Sequence, residues 1–334
     1  MRAAIIEGAY DMHISAIPPP LPGPGEVLVA VAAAGICAGD LHIYHGRNPY
    51  ATFPQICGHE IAGVIAESST SEFAPGTRVV VEPFLGCGNC YPCRIGKTNC
   101  CVRLTILGVN RAGGYAEFVT APASHIHPVP TGLTHTIASF TEPVAIAVQA
   151  CRRGQVTAGE TVLILGCGPI GLALIEVARQ RGATVLATDI VTERMEVAAR
   201  LGAEVFRADD TLKQTIHDRT NGEGVPVVIE ATGNVAALEQ SVDLVASGGR
   251  IVVVGLMKAG VDAKFPALDF TRKEMTIVGA RASVNCFPES LELLASGAIT
   301  YPRIASEYSM WDAPKVFAAL AQNPADVNKG ILVL

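Results

Sequence analysis

The sequence predicts an α/β chain of two domains: a β-rich domain, then a doubly wound, six-stranded parallel sheet. Three observations carry this. Residues 1 to about 145 read as short apolar strands broken by Gly and Pro. From about residue 160 the rhythm changes to strand, helix, strand, helix. The length of 334 residues suits two domains of ordinary size, and 49% apolar against 17% charged residues marks a globular chain.

In the first region Glu26–Val31, Ile61–Ile65, Arg78–Val81 and Tyr115–Val119 are strand candidates. The run Pro18-Pro-Pro-Leu-Pro-Gly-Pro-Gly25 is a turn-rich loop that excludes a helix. In the second region Val162–Leu165 is a short apolar strand, and Ile170–Arg181 a helix stopped by Gly182. Thr184–Thr188 is the next strand, followed by a helix over Thr192–Leu201 capped by Thr192 and ended by Gly202. Strands at Glu204–Phe206, Val225–Glu230, Arg250–Val254 and Met275–Val278 bring the set to six. Such alternation predicts parallel strands with helices on both faces. After Arg281 the rhythm stops. The tail reads as helices at Pro288–Ser296 and Ala313–Ala321 and a last strand, Gly330–Leu334, that could return to the first domain.

Charge and composition exclude several partners. The net charge of −6 comes from mixed acids and bases, and no basic patch invites nucleic acid. Met1–Glu7 holds no apolar stretch of signal-peptide length. The uncharged run Thr161–Ile175 is too short, and too broken by glycine and proline, to cross a bilayer. A cytoplasmic location with no membrane partner is the expectation. Ten cysteines in a long chain of this kind point to metal or buried thiols rather than disulfides.

Five of the ten lie between Cys87 and Cys101. Two CxxC steps share Cys90, joining Cys87, Cys90 and Cys93, and Cys100 and Cys101 follow. Four thiolates close a tetrahedral structural zinc site with no open position. An iron–sulfur cluster uses the same ligands. Chemistry alone does not choose between Cys100 and Cys101. The metal would supply much of the order of this polar loop. Upstream, Cys37, His59 and Glu60 offer a thiolate, an imidazole and a carboxylate, the ligand chemistry of an open catalytic zinc.

Gly166-Cys-Gly168-Pro169-Ile170-Gly171 follows the first apolar strand and opens the first helix. Gly166 permits the turn, Gly168 lets a pyrophosphate approach, and Gly171 allows close helix–strand packing. The phosphates of a dinucleotide would lie over the helix N-terminus. Asp189 ends the second strand 18 residues after Gly171, where a carboxylate accepts from ribose hydroxyls and repels a 2′-phosphate. NAD is therefore expected over NADP. Arg194 is a further candidate, although an arginine in the first turn of a helix is ordinarily solvated.

Taken in order along essentially the whole chain, these motifs resemble the zinc-dependent medium-chain alcohol dehydrogenase family. Cys37-x-x-Asp40-Leu-His42-Ile-Tyr44 and Gly58-His-Glu-Ile-Ala-Gly63 are similar to its polyol and L-threonine branch. His45-Gly-Arg-Asn-Pro-Tyr-Ala-Thr-Phe-Pro54 resembles bacterial sugar-acid members such as L-galactonate or L-gulonate 5-dehydrogenases. The resemblance implies a GroES-like catalytic domain over 1–147 and 283–334, with a structural-zinc lobe at 86–102, and an NAD-binding Rossmann domain over 148–282. It implies catalytic-zinc ligands at Cys37 and His59, with Glu60 and Glu142 as third or exchanging ligands. On its own Glu142 reads as a stabilising acid near a helix start. Asp40 matches the acid that orients the ligand histidine, and His42 the end of a proton relay. Cys87, Cys90, Cys93 and Cys101 match the structural-zinc ligands. A homo-oligomer, dimer or tetramer, is implied as well.

One position departs from the family. Gly39 stands where Ser or Thr usually takes the substrate's proton. Either a water fills the gap or another group, such as Glu60, handles the proton; the expectation is a water.

The implied chemistry is oxidation of a secondary hydroxyl, on a sugar acid or sugar alcohol, by hydride transfer to NAD+. Zinc would lower the hydroxyl's pKa, and the protein would align the reactants and exclude water. Tyr44, Arg47, Asn48, Asn110, Arg111 and Asn285 are candidate substrate contacts. L-Threonine or a vicinal diol is the alternative substrate. A lyase or epimerase using NAD transiently, or a non-catalytic NAD-binding protein, is the alternative of another class.

Overall fold

A computed structural model describes residues 1–323 and 329–334. Two compact units divide the chain: Met1–Glu142 with Phe287–Gly297 and Pro302–Leu334, and Pro143–Cys286 with Ala298–Tyr301. The first division falls inside the helix Thr141–Arg153. Residues 298–301 join the second unit through Glu176, whose carboxylate accepts from the Thr300 and Tyr301 backbone N–H groups at 2.8–3.0 Å.

The first unit is built on a seven-stranded sheet. Its path runs Ser306–Ser309, Gly330–Val333, Glu26–Gly35, Glu60–Ser68, Arg78–Val81, Ile126–Pro128, and Phe118–Pro122 also pairs with Glu26–Gly35. Val27, Val29 and Val31, at period-2 spacing, join a core with Ile61, Ile65, Tyr115 and Phe317, while Leu28 between them is buried as well. The strand expected at Tyr115–Val119 begins only at Phe118. Tyr115 and Ala116 instead reach the N-terminal strand Arg2–Gly8, through a Tyr115 carbonyl bond to the Ala4 N–H and an Ala3–Ala116 bridge.

Register in this sheet decides which side chains meet. Gly35 pairs with Glu60 on one side and with Ile331 on the other. The end of Glu26–Gly35, the start of Glu60–Ser68 and the start of Gly330–Val333 therefore converge. Cys37, Glu60 and Lys329 lie within two residues of that point.

The second unit holds six parallel strands in the order Glu204–Arg207, Thr184–Asp189, Thr161–Leu165, Val225–Glu230, Val245–Val253, Thr276–Gly279. Val162, Leu163, Ile164 and Leu165 are all buried, as expected of a strand covered on both faces. The order reverses between Thr161–Leu165 and Val225–Glu230, so the crevice at their C-terminal ends is the topological switch point. Helices Pro169–Gln180 and Thr192–Arg200 follow the first two strands. Thr192 is not the cap expected of it: Val191 is the N-cap, no side chain caps the helix, and Asp189 Oδ1 takes the Val191 N–H at 2.9 Å. The acceptor at this helix start is Asp189, the last strand residue, two positions before the N-cap. No helix among the described residues is long and apolar enough to cross a membrane.

Candidate active site and metal centres

Cys37 is the N-cap of the short helix Ala38–Tyr44. Its Sγ accepts from the Gly39 N–H at 3.4 Å, and its own N–H donates to Asp40 Oδ2 at 2.9 Å, a reciprocal box that fixes the thiol. Asp40 is fully buried and ties this helix to the loop carrying His59. Asp40 Oδ2 also accepts from Tyr115 Oη at 2.7 Å, and Oδ1 accepts from the Gly58 N–H at 3.4 Å. His59 Nδ1 lies 3.5 Å from Asp40 Oδ1. That spacing permits charge attraction, but Nδ1 makes no formed hydrogen bond. The imidazole thus turns Nδ1 to the aspartate.

One donor atom each from Cys37, His59 and Glu60 lie within 4.8 Å of one another. Glu60 Oε1 accepts from Lys329 Nζ, a fully buried ion pair, while Glu60 Oε2 is buried without a partner. Space for that carboxylate exists because residue 35 is glycine: a Cβ there would lie 1.8 Å from Glu60 Oε2. Lys329 also donates to the Ile36 carbonyl at 2.9 Å.

Burial alone would lower the pKa of His59, but the Asp40 and Cys37 charges beside it push it well above the ordinary value. Burial opposes ionisation of Asp40 too, yet the His59 charge and the donors from Cys37 and Tyr115 hold its carboxyl below the usual range. Glu142, at the start of Thr141–Arg153, is buried and pushed up to about 7, first by burial and then by Glu60 and Asp40 against the pull of His59 and Lys329. Glu142 shares the electrostatics of the cluster but is not among the three donors drawn together. A thiolate, an imidazole and an orphaned carboxylate oxygen fit a borderline-soft dication.

Cys87, Cys90, Cys93 and Cys101 form the second group, with Sγ atoms within 4.8 Å of one another; Cys100 is outside it. The Cys90–Cys93 and Cys90–Cys101 separations are 3.4 and 3.7 Å. A zinc tetrahedron with Zn–S near 2.3 Å has S–S edges of about 3.8 Å, so the four thiols fit zinc. The Cys87 and Arg103 N–H groups both donate to Cys101 Sγ at 3.3 Å. The Arg103 guanidinium draws the Cys87 thiol down to about 5, whereas burial pushes Cys93 up to about 11.

In the second unit Gly168 is the N-cap of Pro169–Gln180, with Pro169 in the first turn and Ile170 next to it. Gly171 packs on the turn so closely that a Cβ would lie 1.9 Å from the Gly166 carbonyl oxygen. Nothing lies within 4 Å of a Cβ built on Gly168, which leaves that face of the turn open. Asp189 is buried. Oδ2 accepts from the Cys167 N–H at 2.8 Å and Oδ1 from Val191, so the carboxylate latches the glycine turn to the second strand. Each oxygen keeps a second lone pair for a ribose hydroxyl. Arg194 lies half-buried on the next helix.

A family model described as the alcohol dehydrogenase GroES-like domain matches residues 23–131, and one described as zinc-binding dehydrogenase matches 169–296. The L-galactonate-5-dehydrogenase of Escherichia coli K12 is 36% identical over 84% of this chain and 83% of its own length. The chain belongs to the zinc-dependent alcohol dehydrogenase family. Among solved structures, a dehydrogenase of E. coli CFT073 complexed with NADH aligns with a TM-score of 0.93 at 31% identity, covering 100% of this chain and 99% of that one. A zinc-binding dehydrogenase of Sinorhizobium meliloti 1021 bound to NADP aligns at 0.92 and 30%, with the same coverage. This dehydrogenase therefore carries a GroES-like domain and a nicotinamide-dinucleotide domain.

Within the dehydrogenase the residues expected at the two centres converge to different degrees. Cys37, Asp40, His59 and Glu60 form one connected network. His42 lies three residues beyond Gly39 on the same short helix, exposed. The substrate candidates are mostly engaged elsewhere. Arg111 pairs with Glu26 at 2.8 Å and donates to Thr120, Tyr44 is buried in the core, and Asn110 bonds the Ile106 N–H and the Tyr50 carbonyl. Arg47 is exposed, and Asn48 accepts from the Tyr50 N–H. Two functional residues escape sequence reasoning. Lys329 sits 269 positions from Glu60 and reads as a solvated lysine before a strand. Tyr115 reads as a strand residue, yet its hydroxyl orients Asp40.

Proposed function

We propose that this dehydrogenase oxidises a secondary hydroxyl of a sugar acid or sugar alcohol to a ketone, with NAD+ as hydride acceptor. The observation that carries this is the Cys37–His59–Glu60 donor set, its imidazole and carboxylate buried, beside the Lys329 charge, on a chain similar to a sugar-acid dehydrogenase. Cys37, His59 and Glu60 Oε2 would hold the catalytic zinc, with Glu142 the nearby acid that can exchange. Cys87, Cys90, Cys93 and Cys101 would hold the structural zinc. At the first set zinc would supply the Lewis acidity that lowers the substrate hydroxyl's pKa, and a bound nicotinamide would supply the hydride acceptor.

The residues' own tasks follow from their contacts. Asp40 fixes both Cys37 and His59. Lys329 holds Glu60 Oε1, which directs Oε2 as the free oxygen. At Gly39 a Cβ would meet nothing closer than Cys37 Sγ at 3.8 Å and His59 Cε1 at 4.0 Å. A water in that space takes the substrate's proton, and His42, on the same helix, passes it outward. In the dinucleotide unit Gly166, Gly168, Pro169, Ile170 and Gly171 receive the pyrophosphate, and Asp189, with Arg194, the adenosine ribose. The Asp189 carboxylate favours NAD over NADP. A homo-oligomer and a cytoplasmic location complete the proposal.

The test is NAD+ reduction against a panel of aldonates, polyols, L-threonine and diols, with and without a chelator, alongside zinc analysis. About two zinc ions per chain and chelator-sensitive NADH formation on an aldonate or polyol are expected. One zinc per chain, or turnover without net NADH, would sink the reading.

A further inference from the structure

Glu230 ends the strand Val225–Glu230 at the switch point, fully buried. Its Oε1 gathers three donors: the Thr232 N–H at 2.6 Å, the Gly233 N–H at 2.9 Å and the Thr232 hydroxyl. Its backbone carbonyl accepts from Val254 and Gly255 at 2.9 and 3.0 Å, tying in the next strand. Oε2 is buried without a partner and lies against Gly255, where a Cβ would come within 2.6 Å.

This carboxylate therefore sets the turn Ala231–Gly233 from beneath. The turn is the wall opposite the glycine-rich one. Ala231 donates to the Leu165 carbonyl at 2.9 Å, and Thr232 Cγ2 would lie 2.7 Å from a Cβ on Gly166. Thr232 is itself exposed, and its hydroxyl accepts from the Asn234 N–H at 2.9 Å, leading into the cap of the helix Val235–Leu244. An anionic side chain, wholly buried, is thus spent on a three-residue turn whose only exposed face borders the crevice where a dinucleotide lies in such sheets. A packed apolar residue could end the strand, but it would leave the Thr232 and Gly233 N–H groups without the acceptor that shapes the turn.

We propose that Glu230 is a positioning residue for the nicotinamide dinucleotide, holding Thr232 and Gly233 at the spacing from Gly166 that the cofactor requires. The inference rests on the dinucleotide reading of this unit. Oε1 alone does the holding, so an amide oxygen in its place serves as well.

The experiment measures NADH binding to the full-length, zinc-loaded protein by calorimetry, with cofactor-free melting curves in parallel. Glu230→Leu removes the acceptor and should weaken NADH by about tenfold or more. Glu230→Gln keeps an acceptor oxygen and should stay within about threefold of the parent, even where melting falls because its amide N–H₂ is buried. Thr232→Val keeps the shape and removes the hydroxyl that donates to Glu230 and accepts from the Asn234 N–H; it should weaken NADH by about threefold to tenfold, and it decides the matter if Glu230→Leu does not fold. Unchanged NADH affinity in Glu230→Leu and Thr232→Val, with only melting lowered, would overturn the proposal. Failure of the parent itself to bind NADH would instead overturn the dinucleotide reading.

Discussion

Replacing Lys329 by methionine isolates the least legible contact of the active site. Lys329 and Glu60 side chains are 2% and 1% exposed and pair directly. Removing one partner of a buried ion pair costs about 3–5 kcal/mol, because the other charge is left uncompensated. The Ile36 carbonyl loses its donor too, worth about 1 kcal/mol. The sum, roughly 4–6 kcal/mol, corresponds to a melting shift on the order of 10–20 °C for a unit of this size. The measurement is thermal and urea unfolding of chelator-treated protein, so that no dication stands in for the lysine. Glu60→Met combined with Lys329→Met should return to within about 2 kcal/mol of the parent, since an apolar pair of similar volume carries no desolvation cost. Zinc loading should shrink the Lys329→Met loss. A Lys329→Met protein within about 1 kcal/mol of the parent, or a double variant as damaged as the two singles together, would refute the reasoning.

Three further outcomes follow. Cys101→Ser should lower zinc from about two to about one per chain, whereas Cys100→Ser should retain about two; equal losses would dissolve the distinction between them. Gly39→Ser fits the available space and should leave a working enzyme with an altered pH–rate profile; complete loss of turnover with zinc retained would argue against an open, water-filled gap. The Arg111 guanidinium holds the Glu26 carboxyl below its ordinary 4.5. A depressed folded pKa stabilises fully above the unfolded value and is lost as pH falls through the folded one. Arg111→Gln should therefore cost about 1 kcal/mol at pH 7 and progressively less below about pH 4.5, read from melting curves at both ends; a cost that does not shrink with acid would point to lost packing alone.

The parallel sheet was legible because its evidence is local. Most of its strands are apolar runs, its first two helices end at Gly182 and Gly202, and the glycine turn and Asp189 sit at fixed offsets. The four-cysteine lobe was legible for the same reason, since its ligands fall within 15 residues. Thr192 misled because a threonine at a helix start need not be its cap: the helix begins at Thr192 itself, and the side-chain acceptor there is Asp189, two residues before the N-cap Val191. Tyr115 misled because an aromatic before an apolar run looks like a strand residue, while its hydroxyl is recruited from 75 positions away by Asp40. Lys329 left no trace: only the pairing of Gly35 with both Glu60 and Ile331 brings it to the site, and sheet register across nearly the whole chain cannot be read from a lysine's neighbours.

That register also explains why the centre tolerates so much buried acid. Cys37, Asp40, Glu60 and Glu142 converge, and the chain opposes them with Lys329 and the imidazole of His59. Burial raises the cost of every unbalanced charge, and Glu142 shows the strain, pushed up to about 7. One fixed lysine neutralises one carboxylate oxygen and leaves the second oxygen of Glu60, the thiol and the imidazole with donor capacity in excess of protein partners. A dication matches that excess in charge and in ligand softness. Had Lys329 been absent, Glu60 would demand the metal merely to be buried. With it, the carboxylate has a resting partner, and the fold at this point does not depend on metal in the way the four-cysteine lobe does.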